Sequence, residues 1–287
     1  MPVRLRLPVA LLAWLVTAPL AAQVSWQPHV ALEGSLVLLT VRPDSAGGDS
    51  AAVVGGELAG EPLHFDSAGG GVRALGAVPL GTRDSIVARV VLERGGGVRD
   101  TLLVALPVRR RRTPRERLHV APQYAQPPPS VAERIRRERE LVQDVRRRAH
   151  DAPRLWRESF LRPSAGAVAS GFGVARVFNG VVRSRHTGVD FAAVRGAPVR
   201  AANRGIVALV ADLYFSGRTV LIDHGAGLVT GYFHLSRAVV APGDTVARGQ
   251  LIGRVGSSGR VTRPHLHWFA GYGLVTVDPL DLLRLKY

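Results

Sequence analysis

The sequence predicts a mainly β protein: a small N-terminal β-sandwich, a helical connector and a C-terminal antiparallel β domain with a groove. Three observations carry this reading. Short runs of β-branched and apolar residues recur in the first and last thirds of the chain, separated by glycine-rich turns. One stretch of helical period lies between them, behind Pro127-Pro128-Pro129. No long helical pattern follows it.

Residues 1–22 read as a secretory signal. Arg4 and Arg6 supply the positive start, Leu7 to Val16 the apolar run, and Ala18-Pro19-Leu20-Ala21-Ala22 the small residues for cleavage. Cleavage is expected after Ala22, although Leu20 fits the third position back poorly. An uncleaved anchor is the competing reading, but the run is short of the ~20 residues a span needs. No later stretch is long enough to cross a membrane. The expectation is an exported protein of the periplasm, cell envelope or medium, without a stable transmembrane segment once the signal is removed.

Residues 23–108 read as the sandwich. Leu36-Val37-Leu38-Leu39-Thr40-Val41, Ser85 to Leu92 and Thr101 to Leu106 are its clearest strands, with turns at Ala68-Gly69-Gly70-Gly71 and Arg94-Gly95-Gly96-Gly97. His29 and His64 stand alone here and read as surface or structural residues. Residues 109–163 read as a basic linker followed by an amphipathic helix. Arg109 to Arg112 forms a solvated basic run. Ser130 and Glu133 have the spacing of a capping box, and Val131, Ile135, Val142, Val145 and Ala149 form one apolar stripe. The helix is expected to pack on a neighbouring domain, with a membrane surface as the other reading. His119 and His150 are expected to be solvent-exposed. Residues 164–287 form the last domain, with strands expected at Gly205–Ala211, Thr219–Asp223, Leu228–His234, Leu251–Val255 and His265–Ala270.

The 287 residues carry a formal charge of +16, almost all of it arginine, and no cysteine. Without cysteine there are no disulfides, thiolate zinc sites or cysteine nucleophiles. The charge suits nucleic acid, anionic lipid or an acidic polymer. The export signal argues against nucleic acid and for a cell-envelope polymer. A general preference for arginine over lysine accounts for the same composition.

The chemistry concentrates in the last domain. His186-Thr187-Gly188-Val189-Asp190 supplies a histidine and a carboxylate, and His265-Leu266-His267 two more histidines. Residues two apart in a strand share a face, so His265 and His267 are available to one groove. His234 lies between these segments. Imidazole and carboxylate together suit a catalytic Zn²⁺ site, with three protein ligands and one open position. The set points to a metal-dependent hydrolase. His224, in the turn Asp223-His224-Gly225, reads as structural.

Four segments, Ser170-Gly171-Phe172-Gly173, His186 to Ala193, Tyr232-Phe233-His234-Leu235-Ser236 and Pro264-His265-Leu266-His267-Trp268, together resemble the LytM/lysostaphin-type zinc metallopeptidases. All four occur in the family's order and cover most of the last domain. The sandwich, helix and last domain together look like the family's exported, multi-domain members. The resemblance implies a zinc metalloendopeptidase that cuts peptide bonds of peptidoglycan by activating water. It implies one zinc, bound by His186, Asp190 and His267. It makes His265 the general base or orienter of the attacking water, and gives His234 the task of positioning that water or stabilising the oxyanion. It also leaves room for a regulatory protein partner.

Two departures are visible. Residues Asn179 to Arg185 contain no tyrosine where some members have one, which leaves Asn179 as a substitute polar contact. Arg263 stands where the family often has glycine, and reads as a solvated turn residue or a contact to an acidic substrate group. Some relatives lose their ligands and act as non-catalytic wall-binding activators of other hydrolases. Retention of all three ligand positions argues against that alternative here. The stretches Val199 to Val207 and Pro242 to Gly253 also resemble half-barrels of biotinyl and lipoyl carriers. Those carriers need a modified lysine at a hairpin tip, and Lys286 is the only lysine.

Overall fold

A computed structural model describes residues 22–43, 51–180, 182–285 and 287. The signal-peptide reading lies outside the described residues, except for Ala22, which begins the first strand. Two sheets face each other in the N-terminal part. One has the order Ala22–Gln27, Leu36–Pro43, Gly71–Ala77, Phe65–Ala68; the other Ala31–Leu32, Arg99–Arg109, Asp84–Glu93, Ala52–Leu58, Glu61–Pro62. Inward-facing Val37, Leu39 and Ala74 from the first meet Leu58, Ala88 and Leu106 from the second in one buried cluster. That is the alternation a two-layer β fold requires.

The C-terminal part is built on a sheet of spatial order Val168–Ser170, Gly188–Ala192, His265–Tyr272, Leu228–Ala238, Gly217–Asp223, Gly205–Leu213, Thr245–Val246. Its neighbours pair antiparallel. Each of the strands expected in the last domain is present, one to several residues longer in most cases. Val189, Phe191, Leu266 and Trp268 point to one side of this sheet and are buried in the largest core cluster. The opposite face of the same strands is thereby left for the polar side chains.

The connector departs from expectation in three ways. Arg115–Leu118 is a strand, parallel to Ala175–Phe178, which in turn pairs with Val182–Arg185. The helix runs from Ala132 to Arg148 without a capping box. A 3₁₀ turn at Pro129–Val131 leads into it, and Glu133 accepts from Arg136 and Arg137 at 2.7 Å each. These charge-assisted bonds at i+3 and i+4 outcompete a neutral backbone N–H for the carboxylate. Arg111, placed in the solvated basic run, is instead largely buried: its guanidinium pairs with Asp278 at 2.8 Å and its N–H donates to Glu33 at 3.0 Å. The apolar stripe does pack, with Val142, Val145 and Ala149 against Leu209, Leu221 and Val229.

His150 is also mostly buried rather than exposed. Its ring lies 2.8 Å from His64 and 3.1 Å from Glu61, and Tyr272 donates to the Pro62 carbonyl at 2.6 Å. The sandwich, the helix end and the last domain meet there.

His224 is fully buried, bonded to the Arg204 carbonyl at 2.7 Å and Thr230 at 2.8 Å. Burial pushes its pKa down to about 4. The unfolded chain therefore takes up a proton here below about 6.5 while the folded chain does not, so stability falls as pH drops from 6.5 toward 4. The loss amounts to about 3 kcal/mol for this residue. Chemical denaturation of metal-free protein at pH 7 and pH 5 should show about 2 kcal/mol of it, and His224→Gln should flatten the slope. An equal slope in that variant would assign the effect elsewhere.

Candidate active site

The register of three strands assembles the site. Asp190 is directly opposite His267 in the pairing of Gly188–Ala192 with His265–Tyr272, and Phe233 is opposite His267 on its other flank. His186 enters just before the first of these strands, where its N–H and C=O bond to Val174 and Gly173 at 2.8 Å. His265 and His267 project to one face because strand residues alternate. His186, Asp190 and His267 are all buried.

Three atoms converge: His186 Nε2 to Asp190 Oδ1 is 3.0 Å, His186 Nε2 to His267 Nδ1 2.9 Å, and His267 Nδ1 to Asp190 Oδ1 2.8 Å. His186 Nδ1 donates to the Gly171 carbonyl at 2.7 Å, which leaves the lone pair on Nε2, toward the other two groups. Burial raises the Asp190 carboxyl, but the hydrogen bonds and charges of His186 and His267 more than reverse this and hold it well below the usual carboxylate range. Burial pushes His267 down to about 4, against the pull of Asp190. At neutral pH the group thus offers the neutral His267 imidazole and the Asp190 carboxylate, with His186 Nε2 turned toward both.

This donor set fits a divalent metal. Tetrahedral zinc with bonds of about 2.0–2.1 Å separates its ligand atoms by roughly 3.3 Å, close to the spacing found. Among the described residues it is the one group of three such side chains whose donor atoms converge this way. The supporting contacts are those expected of a metal site. Arg176 bonds the second Asp190 oxygen and is itself held by Glu116 at 3.1 Å. The Phe233 ring stacks on His267, with centroids 5.1 Å apart and planes 8° apart.

His265 and His234 flank the triad. His265 Nδ1 donates to the Arg263 carbonyl at 2.8 Å, and its Nε2 is 3.6 Å from Asp190 Oδ1. His234 Nδ1 donates to the Ser258 carbonyl at 2.8 Å, and its ring centroid is 4.9 Å from that of His265. His234 holds a left-handed backbone, φ 60°, at a register irregularity between Arg218 and Val220. Such a conformation costs of order 1 kcal/mol in a non-glycine residue and collects at functional sites. Burial, then the neighbouring His265 and His267, lower its pKa well below the ordinary value.

All five residues line a cavity of about 610 Å³. The sequence reading missed its other wall, formed by Glu116 to Val120 of the connector with Arg176, Phe178, Phe215 and Arg260. No local motif marks them, because the fold alone brings them near. His119 and Arg263 stand exposed at the cavity edge. Asn179 does not supply a contact there: its amide closes a pair of 2.9 Å bonds with the Val120 backbone.

The model of peptidase family M23 matches residues 184–279. The peptidoglycan DD-endopeptidase ShyA of Vibrio cholerae is 45% identical over 83 residues, which are 29% of this chain and 19% of that protein. The chain thus aligns with about a fifth of that relative's length. The catalytic domain of lysostaphin from Staphylococcus simulans is 31% identical, over 42% of this chain and 93% of that one, with a TM-score of 0.39. A crystal structure assigned to peptidase M23 from Pseudomonas aeruginosa covers 82% of this chain and 92% of that one, at 26% identity and a TM-score of 0.63, so its likeness extends over the sandwich and connector as well. Residues 184–279, which hold the histidine–aspartate–histidine cluster, are thus a peptidase M23 domain.

Proposed function

We propose that the chain is an exported zinc metalloendopeptidase of the cell envelope that hydrolyses peptide bonds of peptidoglycan. The observation that carries the reading is the convergence of His186 Nε2, Asp190 Oδ1 and His267 Nδ1 at separations of 2.8–3.0 Å in the lining of a cavity of about 610 Å³. These residues would hold the zinc, which when bound acidifies water and polarises a carbonyl. The similarity to a peptidoglycan DD-endopeptidase supports the substrate class. The leader-like residues 1–22 support export, and no helix among the described residues is long and apolar enough to cross a membrane.

The flanking histidines handle the proton. Each spends Nδ1–H on a backbone carbonyl, so each neutral ring keeps its lone pair on Nε2. His265, with Nε2 3.6 Å from Asp190 Oδ1, accepts the proton of the attacking water. Once protonated, an Nε2 becomes a donor and serves the developing oxyanion or the leaving amine. His234 shares this role as the second imidazole. Arg176, bonded to the second Asp190 oxygen, orients the carboxylate.

Purified peptidoglycan digested by the zinc-loaded chain, with and without a chelator, should lose cross-linked muropeptides in a chelator-sensitive manner on mass analysis. Intact muropeptides with zinc shown to be bound would overturn the peptidase reading and favour a binding or activating role.

A further inference from the structure

Arg260 occupies an unusual position on the cavity wall. Its guanidinium carbon lies 4.3 Å from the ring centroid of Phe178 and 4.6 Å from that of Phe215. Phe178 ends the strand Ala175–Phe178, and Phe215 sits in the turn between Gly205–Leu213 and Gly217–Asp223. The Arg260 N–H donates to the Phe215 carbonyl at 2.8 Å, which fixes the root of the side chain. The aromatic faces attract the cation but accept none of its five N–H donors in plane.

No carboxylate among the described residues lies within ion-pair distance of Arg260, and its guanidinium makes no side-chain hydrogen bond there. Its neighbour Arg176 is in the opposite condition, bonded to Glu116, Ser170 and Asp190. Burial, and then the like charge of Arg176, lower the Arg260 pKa, so the surroundings are short of negative charge at this point. A guanidinium held against two aromatic rings, partly withdrawn from water and without an acceptor favours a bidentate anion.

We propose that Arg260 is a specificity-determining residue that binds a free carboxylate of the peptide substrate. The assignment rests on the peptidase reading for the identity of its ligand. It predicts that this chain selects peptides with a free carboxylate near the scissile bond over their carboxamide forms. A charge-assisted pair of this kind corresponds to roughly 10–100-fold in affinity.

The test titrates the full zinc-loaded chain, by calorimetry, with two cross-linked stem peptides. They differ only in carrying free carboxylates or carboxamides, and are N-methylated at their backbone amides so that neither is cut. Wild type should bind the carboxylate form at least about tenfold more tightly. Arg260→Gln should bind both alike, at the wild-type carboxamide level, and Arg260→Lys should restore part of the preference. Equal binding of the two peptides by wild type, or undiminished discrimination by Arg260→Gln, would overturn the assignment. Wild type needs no variant to fold, so its own preference decides the first point. Hydrolysis of the unmethylated pair is measured separately. Discrimination in binding without cleavage of either peptide would sink the peptidase reading while supporting the carboxylate site.

Discussion

His267→Ala should lose zinc and lose peptidoglycan hydrolysis together, by more than the roughly 10–100-fold that outer partners of a metal site cost. The ring is one of three donors at 2.8–3.0 Å separation, and it is held from both sides, by Asp190 across the strand pair and by the Phe233 ring stacked on it. Its removal leaves two donors and takes away the ring stacked on Phe233. His265→Ala should behave differently. His265 donates Nδ1–H to the Arg263 carbonyl and is 3.6 Å from Asp190, outside the converged triangle. That variant should keep stoichiometric zinc by elemental analysis while its rate falls by about 10²–10⁴. The two substitutions thus separate binding from proton transfer. Stoichiometric zinc in His267→Ala, or loss of zinc in His265→Ala, would reverse the assignment of the pair.

The difference between these two histidines was legible in the sequence only through resemblance. Alternation places His265 and His267 on one face but does not say which one binds metal. The register separates the two, setting Asp190 opposite His267 and Ala192 opposite His265. Strands were legible where one face is buried, as in Gly205–Leu213, since period-two alternation is imposed locally. The helix was legible from its stripe, but its start was not: Ser130 and Glu133 have capping spacing, and the arginines at 136 and 137 take the carboxylate instead. Long-range polar contacts were closed to local reading. Arg111 and Asp278 are 167 residues apart, and His150 and Glu61 are 89 apart. Each looks like an exposed charge until the chain is folded. Arg176 and Arg260 belong to the same class. Their neighbours Asp190 and Phe215 come from other strands and turns, so no spacing rule could single them out in a chain this rich in arginine.

Gly188→Ala should weaken the metal site while leaving every ligand in place. A Cβ built on Gly188 would stand 2.5 Å from His267 Nε2 and 2.8 Å from Cε1, and would also strike the Trp268 carbonyl oxygen. The requirement is one of space. Gly188 pairs with Phe269 inside the sheet, and Trp268 beside it is fully buried, so the backbone at this point has no room to retreat. The softer response is movement of the His267 ring, but Phe233 lies flat against it. Overpacking of this kind costs about 1–3 kcal/mol. A tilt of one donor ring should also lower zinc affinity by at least about tenfold, comparable with the loss of an outer-shell partner. Gly55→Ala provides the reference, because a Cβ there meets nothing within 4 Å. Competition with a zinc chelator and thermal unfolding of the metal-free forms measure the two effects independently. Reduced stability with unchanged zinc affinity would mean that the sheet absorbs the methyl group and that the triangle tolerates the strain. Reduced affinity at near-normal stability would show that the converged geometry of the donors, and not their chemistry alone, holds the metal, since His186, Asp190 and His267 are all retained.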